Sequence, residues 1–401
     1  MGFSDVCPQP DNQEQLHPEG VYTVFLTPPT IQMISPPTTG AYISWPFCAQ
    51  KCTYCNFASG VQPKGLESDY AAALAVEIAA TDWHLLPDTL YIGGGTPSAI
   101  PAAEFGDILQ GIPGQPWTEA TLEAAPGSLT PEKIAAWTRA GINRVSLGVQ
   151  SFIRSELART GRKHDAETVR RDVAMLREGG IGNFNLDLIS GLPGQTAASW
   201  RESLDAVVAL EPPHVSVYML EVDDDSRLGS EIILGGKRYG AFDVPSEDAV
   251  AGFYEAAVDH FAAHGIQRYE ISNFARPGAE SLHNLKYWRR EPYIGLGSDA
   301  HSFDGTIRWQ NPEMAVDYVA RHLAGLPLRE DETAPDPAEE KFFVGLRLAE
   351  GVHTDPSDWD RFGPVFHRFL AAGMMEQQGS WLRLTPRGVM VSNEIFQEFI
   401  S

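Results

Sequence analysis

The chain is short of cysteine and of positive charge, and it has no long apolar run. Its 401 residues include four cysteines, three of them between positions 48 and 55, with Cys7 standing apart. So few and so uneven a set excludes a disulfide framework. Free thiols suit a reducing cytosol, so a cytoplasmic location is expected. The 30 Lys and Arg residues face 53 Asp and Glu, a net charge of −23. A surface this acidic repels nucleic-acid phosphate and anionic lipid, so no nucleic-acid partner is expected. No stretch approaches the roughly 18 consecutive apolar residues of a membrane-spanning helix. No cationic segment followed by an apolar one opens the chain, so secretion is not expected either.

What is present is enough for a large core. With 43% hydrophobic residues over 401 positions, one large domain plus a smaller one is predicted. The most informative stretch is Ala41 to Ser59. A short apolar run over 41–45 reads as a strand, and Pro46 ends it because it has no N–H for a ladder. Cys48, Cys52 and Cys55 follow with C-x3-C-x2-C spacing. Structural zinc takes four ligands, and the next candidate, His84, lies well downstream. In a four-iron cube the three thiolates would hold three irons and leave the fourth open for chemistry. A zinc knuckle or three unrelated thiols is the alternative reading.

From Ala41 the chain alternates strands and helices. Strands are predicted over 41–45, 89–92, 121–123, 145–149, 184–189 and 215–220. The helices between them start at caps such as Ser68, Thr130-Pro131 and Thr196. Another is expected over 101–110. Six βα units predict a parallel sheet wrapped by helices, an open partial (β/α)6 barrel in an α/β fold. The cysteine loop, Gly93 to Pro97, Glu123, Gln150 and Asp187 all fall at predicted strand ends, where ligands bind in such sheets.

The remaining segments are read as follows. Residues 1–38 are a disordered, proline-rich leader with Cys7 a bystander. Residues 39–275 form the core domain. Asp223-Asp224-Asp225 is a solvated turn, a helix runs over 246–264, and 269–272 is a strand. Residues 276–310 are a connecting loop dense in Gly, His, Asn and aromatics. Residues 311–401 are a smaller, mainly helical, winged-helix-like domain with helices over 313–324, 338–349, 364–372 and 387–399. Lys237-Arg238 and Lys286 with Arg289-Arg290 are candidates for a basic pocket, or simply solvated charge.

Cys48, Cys52, Tyr54 and Cys55 resemble the signature of the radical S-adenosylmethionine (SAM) superfamily. The resemblance implies a [4Fe-4S] cluster whose open iron chelates the amino and carboxylate groups of SAM. One electron then splits the sulfonium to a 5′-deoxyadenosyl radical, and the donor would be a small protein such as a flavodoxin or ferredoxin. Gly93-Gly94-Gly95-Thr96-Pro97 is similar to the segment that binds the SAM amino group. Glu123, Arg162 and Asp187 supply charges suited to a zwitterion and a ribose diol.

Further segments narrow this. Tyr42, the glycine segment, Val145 to Phe152, Leu186 to Thr196 and Tyr269 to Gly278 together resemble the oxygen-independent coproporphyrinogen III oxidase family. The matched SAM contacts are Tyr42, Gly94, Gly95, Thr96, Glu123, Gln150, Arg162 and Asp187. Oxidases of that family carry a further cysteine where this chain has Phe57, after Asn56. The chain instead has His283-Asn284-Leu285-Lys286-Tyr287-Trp288, the HNxxYW motif of the HemW-type haem chaperone branch. That branch implies haem as cargo and haem-accepting partner proteins. His283 is the candidate iron ligand, Tyr287 and Trp288 would stack on the porphyrin, and His301 is a second candidate ligand. The alternatives are an oxidase that decarboxylates two propionates and, more distantly, a nucleic-acid-binding regulator acting through the C-terminal module.

Overall fold

The computed structural model describes residues 38–56 and 58–400. The leader with Cys7, and Phe57, lie outside the described residues. Strand and helix alternate from the start: β1 (Thr39–Trp45), α1 (Leu66–Ala80), β2 (Pro87–Gly94), α2 (Phe105–Ile108), β3 (Glu119–Ala124), α3 (Pro131–Arg139), β4 (Arg144–Gln150), α4 (Arg154–Arg159), α5 (Ala166–Glu178), β5 (Asn183–Ser190), α6 (Ala197–Ala209) and β6 (His214–Met219). These six strands pair in parallel, each beside the next. Local chemistry sets the helix starts. Thr130 accepts from the Lys133 N–H with Pro131 behind it, and Thr196 and Ser199 cap α6 reciprocally. The helix expected over 101–110 contracts to α2, hemmed in by Pro101 and by Gly111 at φ 94°.

The chain continues through α7 (Arg227–Ile233), α8 (Glu247–Ala263), β7 (Gln267–Arg268), β8 (Asn273–Ala275), α9 (Leu282–Trp288), β9 (Tyr293–Leu296), β10 (His301–Phe303), β11 (Arg308–Gln310), α10 (Ala315–Leu323) and β12 (Glu330–Thr333). One twelve-stranded sheet results, in the order β12-β11-β10-β9-β1-β2-β3-β4-β5-β6-β8-β7. Three sequence expectations are corrected here. The stretch 276–310 is no connecting loop: it carries α9 and three strands of the main sheet, with β9 running parallel to β1. Residues 269–272 are not a strand but a turn, closed by Tyr269 N–H on Asn273 O and Ser272 N–H on the Glu270 carboxylate. And residues 315–333, expected in the smaller domain, join the barrel: β12 pairs with β11, and α10 packs on α1, where Tyr318 donates to Glu77 at 2.6 Å.

The last part comprises α11 (Pro337–Gly345), β13 (Val352–His353), α12 (Pro356–Ala371), β14 (Met375–Gln378), β15 (Trp381–Leu384), α13 (Pro386–Met390) and α14 (Ser392–Gln397), with a small antiparallel sheet β13-β15-β14. Here α12 begins well before the expected 364, because Asp355 and Asp358 cap it reciprocally, and Pro364 lies inside it. The rings of Phe342, Phe362, Phe366 and Phe399 pack with centroids 5.1–6.2 Å apart and form its core.

The parallel strands alternate. Ala41, Ile43, Leu90, Ile92, Leu122, Val145, Leu147, Leu186 and Val217 are buried against the helices. The other face, the barrel lumen, is polar: Thr89, Glu119, Thr121, Arg144, Ser146, Asn185, His214 and Ser216 are all buried there. Buried polar groups need partners, and these find one another. Arg144 donates to Thr121 and lies 3.9 Å from the Glu119 carboxylate. That carboxylate accepts from Ser281 Oγ and from the Leu282 and His283 N–H groups, all at 3.0 Å. So α9 is held across the end of the barrel where the parallel strands begin. Replacing Glu119 by Ala leaves a buried guanidinium and three donors unpaired. Urea unfolding is expected to show a loss of about 3–5 kcal/mol, whereas an unchanged midpoint would mean that the carboxylate holds nothing.

Candidate functional site

The cysteine loop leaves the C-terminal end of β1 and is tied back by Cys48 N–H on Gly60 O and Gly60 N–H on Pro46 O, both 2.9 Å. The glycine segment after β2 crosses it: Gly95 N–H donates to Trp45 O and Thr96 N–H to Phe47 O. A Cβ on Gly95 would lie 2.7 Å from Phe47 O, so only glycine allows the crossing. The three cysteines are half-buried, and Cys52 and Cys55 line a cavity of about 430 Å³. Its wall includes Cys52, Cys55 and Asn56 on one side and Asp223, Asp225 and Arg227 on the other. Burial raises the Cys48 thiol, against hydrogen bonds with Thr96 and Ser59 that lower it.

Among the described residues no three His, Cys, Asp or Glu side chains form a site for one metal ion. A cube makes no such demand, since each thiolate takes its own iron. The donor set therefore fits a cluster held by Cys48, Cys52 and Cys55.

The aspartate triplet is the turn expected, exposed at Asp224 and Asp225, and it also brings its neighbours onto this loop. Leu228 N–H donates to Thr53 O at 2.8 Å, Asn56 Nδ2 to Asp223 at 3.4 Å, and the Arg227 guanidinium to Lys51 O.

Next to the loop lie the polar strand ends. Glu123 accepts from Tyr91 OH (2.9 Å) and Gly94 N–H (3.1 Å). Asp187 accepts from Asn185 (2.6 Å) and Ser146 (3.1 Å). Burial, reinforced by the charge of Asp187, pushes Glu123 up to about 7; burial also raises Asp187. At the end of β4 the register slips, and Gln150 adopts φ 66°. Its Oε1 is buried without a partner, as is Arg162 Nε. Left-handed backbone at a non-glycine residue and orphaned buried polar atoms together mark a place built for a ligand. Arg162 bridges Gly148 O (3.0 Å) and the Tyr54 hydroxyl (3.3 Å), which ties the cysteine loop to β4. Tyr42 stacks on Tyr91 with centroids 6.1 Å apart. The structure thus brings Tyr42, Tyr54, Gly94, Gly95, Thr96, Glu123, Gln150, Arg162 and Asp187 to one end of the barrel with the thiols.

His283 is elsewhere. It is fully buried among the strand beginnings, beneath Tyr91 (5.4 Å). Its Nδ1 bonds Thr89 Oγ1 at 2.8 Å and its Nε2 bonds Tyr287 OH at 2.7 Å. Burial, then the nearby Lys286 and Arg144 charges, push it down to about 3. Expected as an iron ligand, it has no free nitrogen in this arrangement. Tyr287 packs edge-on to Tyr293 at 4.6 Å, and Trp288 lies under Arg347 at 5.1 Å, so neither offers an open face. His301 is exposed at the start of β10. The basic pocket expected around Lys286 does not form: Lys286 pairs with Asp88 and Glu291, Arg290 with Glu340, and Arg289 with Glu350.

Sequence reasoning missed Glu119, Tyr91, Arg144, Ser146 and Asn185. The signal that could have found them is a polar residue at every second position of a parallel strand, where continuous apolar runs are the rule.

Because Glu123 holds its proton more tightly when folded, its contribution to stability is full below the unfolded pKa and is lost as pH rises towards 7. The urea midpoint should fall between pH 5 and pH 8 by an amount equivalent to at most about 3 kcal/mol for this group. Glu123→Gln should flatten that slope; an equally steep slope in the variant would assign it elsewhere.

Comparison with known proteins places this geometry in context. The Radical SAM superfamily profile matches residues 42–207, and the HemN C-terminal domain profile matches 333–391. The chain is 33% identical over 380 residues to the heme chaperone HemW of Bacillus subtilis (strain 168), covering 90% of this chain and 98% of that protein. It is 30% identical over 399 residues to the heme chaperone HemW of Escherichia coli (strain K12), covering 92% and 100%. Among solved structures, coproporphyrinogen III oxidase (HemN) from Escherichia coli superposes with a TM-score of 0.77 over 90% of both chains, at 21% identity, a likeness of fold. On its similarity along nearly the whole length of these relatives, the chain belongs to the HemW heme chaperone family of the radical SAM superfamily.

Proposed function

We propose that this protein is a haem chaperone of the cytoplasm that binds haem and passes it to haem-accepting proteins. It would retain a SAM-ligated [4Fe-4S] cluster at the mouth of its barrel. The observation that carries the reading is the similarity to heme chaperones over 90% of the chain. Two local features agree with it. Asn56-Phe57 follow the last cysteine where the oxidase branch has another cysteine, and the HNxxYW motif is present in full.

Cys48, Cys52 and Cys55 would hold the cluster, which when bound supplies one-electron chemistry. The chain's own groups would bind and orient SAM. The Gly94 to Thr96 backbone and Glu123 would take its amino group, with Arg162 and the unpaired Gln150 Oε1 beside them, and Asp187 would accept from hydroxyls. Tyr42 stacks alongside. A small electron-transfer protein such as a flavodoxin or ferredoxin would reduce the cluster. An oxidase acting on a tetracarboxylate needs free cationic groups. Here Lys286, Arg289 and Arg290 are already committed to carboxylates.

The test is anaerobic. Cluster-reconstituted protein is given SAM, reductant and coproporphyrinogen III while porphyrin products and 5′-deoxyadenosine are followed. In parallel it is titrated with haem and then mixed with an apo-haem protein. One haem bound per chain, transferred on mixing, with no vinyl product, is expected. Formation of protoporphyrinogen would make the protein an oxidase.

A further inference from the structure

A chaperone that loads and unloads haem needs an iron ligand that the porphyrin can reach. His283 is not one, since both its nitrogens are bonded and no part of it meets solvent. The other described histidines are disqualified by place: His84 lies between α1 and β2 at the end where the strands begin, His322 is on α10 outside the barrel, His367 lies against Trp359 in the C-terminal part, and His260 is buried on α8. His164 and His214 are buried and bonded. His264 is on the outer helix α8, bonded to His260 O. His353 lies on the small sheet against Trp381.

His301 differs in both exposure and direction. In a strand, residues two apart share a face, so His301 points to the side of Phe303. Phe303 stands opposite Tyr293, and Tyr293 pairs with Gly40, whose side faces His283 in the lumen. His301 therefore stands on the lumen face of the sheet, at the same end of the barrel as the cysteine loop. Across the order β1-β9-β10, Tyr42 pairs with Gly295, and the Gly295 N–H bonds Ser302 Oγ beside His301. Glycine is required at 295, because a Cβ would lie 2.2 Å from His301 O. So close an approach folds residues 300–301 down onto β9 and sets His301 next to the strand that pairs with that of Tyr42. The turn that presents His301 is rigid. Ser298 is buried and bonded to Tyr70, and Asp299 is held at φ 58° with its N–H on Pro312 O. A non-glycine residue holds that conformation only where the surroundings over-determine the turn. The Asp299 carboxylate lies within electrostatic reach of both His301 and Tyr42. A carboxylate beside a ligating imidazole raises its basicity towards a metal.

We propose that His301, and not His283, ligates haem iron, with the porphyrin held at the mouth of the barrel. This rests on the haem-chaperone reading. It gives the HNxxYW segment a structural task, that of closing the other end of the barrel.

The experiment titrates the full-length, cluster-reconstituted protein with ferric haem under anaerobic conditions, read by Soret absorbance and low-temperature electron paramagnetic resonance. The unsubstituted protein is compared with His301→Ala, His301→Met, His283→Ala and His353→Ala. Near-UV circular dichroism reports folding. Expected are a tenfold or greater weakening and loss of the imidazole signature in His301→Ala, recovery of that signature on adding free imidazole, and an altered ligand field in His301→Met. His283→Ala should keep the haem spectrum while its unfolding midpoint falls, and His353→Ala should be unchanged. A folded His301→Ala with the original affinity and spectrum overturns the assignment while leaving the chaperone reading intact. So does a His283→Ala that folds and loses the iron signature. An unsubstituted protein that binds no stoichiometric haem overturns the chaperone reading, and this assignment with it.

Discussion

The carboxylate of Glu119 is the constraint on which the barrel depends. It is buried, it faces the buried Arg144, and it accepts from three donors at the start of α9. A lumen lined with polar groups cannot be stabilised by apolar contact. It holds only if every donor and acceptor finds a partner. Glu119 meets that requirement at the end where the strands begin. Arg144 is set against the carboxylate with a bond to Thr121, the first N–H groups of α9 are satisfied, and His283 then packs with Tyr91 and Tyr287 while bonding Thr89.

The two ends of the lumen are therefore different chemical environments. At the floor the Glu119 carboxylate, the first α9 N–H groups and both nitrogens of His283 are bonded, and His283 is kept neutral. At the mouth the bonding is incomplete. Gln150 and Arg162 keep orphaned atoms, the strand register slips, and Glu123 is raised towards neutrality by burial and by Asp187. The floor gives the rigidity against which an unfinished mouth can persist without collapsing. The C-terminal helices add to that rigidity, since Glu340 on α11 binds both Arg290 and Arg308.

Much of this was legible in the sequence where the pattern is local. Cap residues, glycine stops and alternating apolar positions gave the six βα units, because each depends on neighbours a few residues away. The cysteine spacing and the glycine segment are local too. The barrel floor was not legible. Residues 282–288 form a short helix with a local cap at Ser281, but what docks it is a carboxylate 162 residues earlier in the chain, which no nearby residue announces. The same distance hid β9, which reads as loop until β1 is there to pair with it. The motif His283 to Trp288 looked like an exposed recognition element because its residue types are those of a ligand site. Their burial follows from where α9 docks, which composition does not encode. The basic clusters misled for a related reason: acidic partners far away in sequence neutralise them.

The pairing of β1 with β9 also bears on how the chain is made. Gly40 and Tyr293 are neighbours in the sheet, yet almost the entire core is synthesised between them. Until Tyr293 to Leu296 emerge, the first strand keeps an open edge. Glu77 on α1 likewise waits for Gly297, Asn311 and Tyr318 to bond its buried carboxylate. Contacts this distant are slow to form and leave an unpaired edge exposed to other chains in the interval. A nascent chain halted before residue 293 would therefore have its first nine helices and its cysteine loop but no protected edge, and would depend on cellular folding factors until the rest arrived.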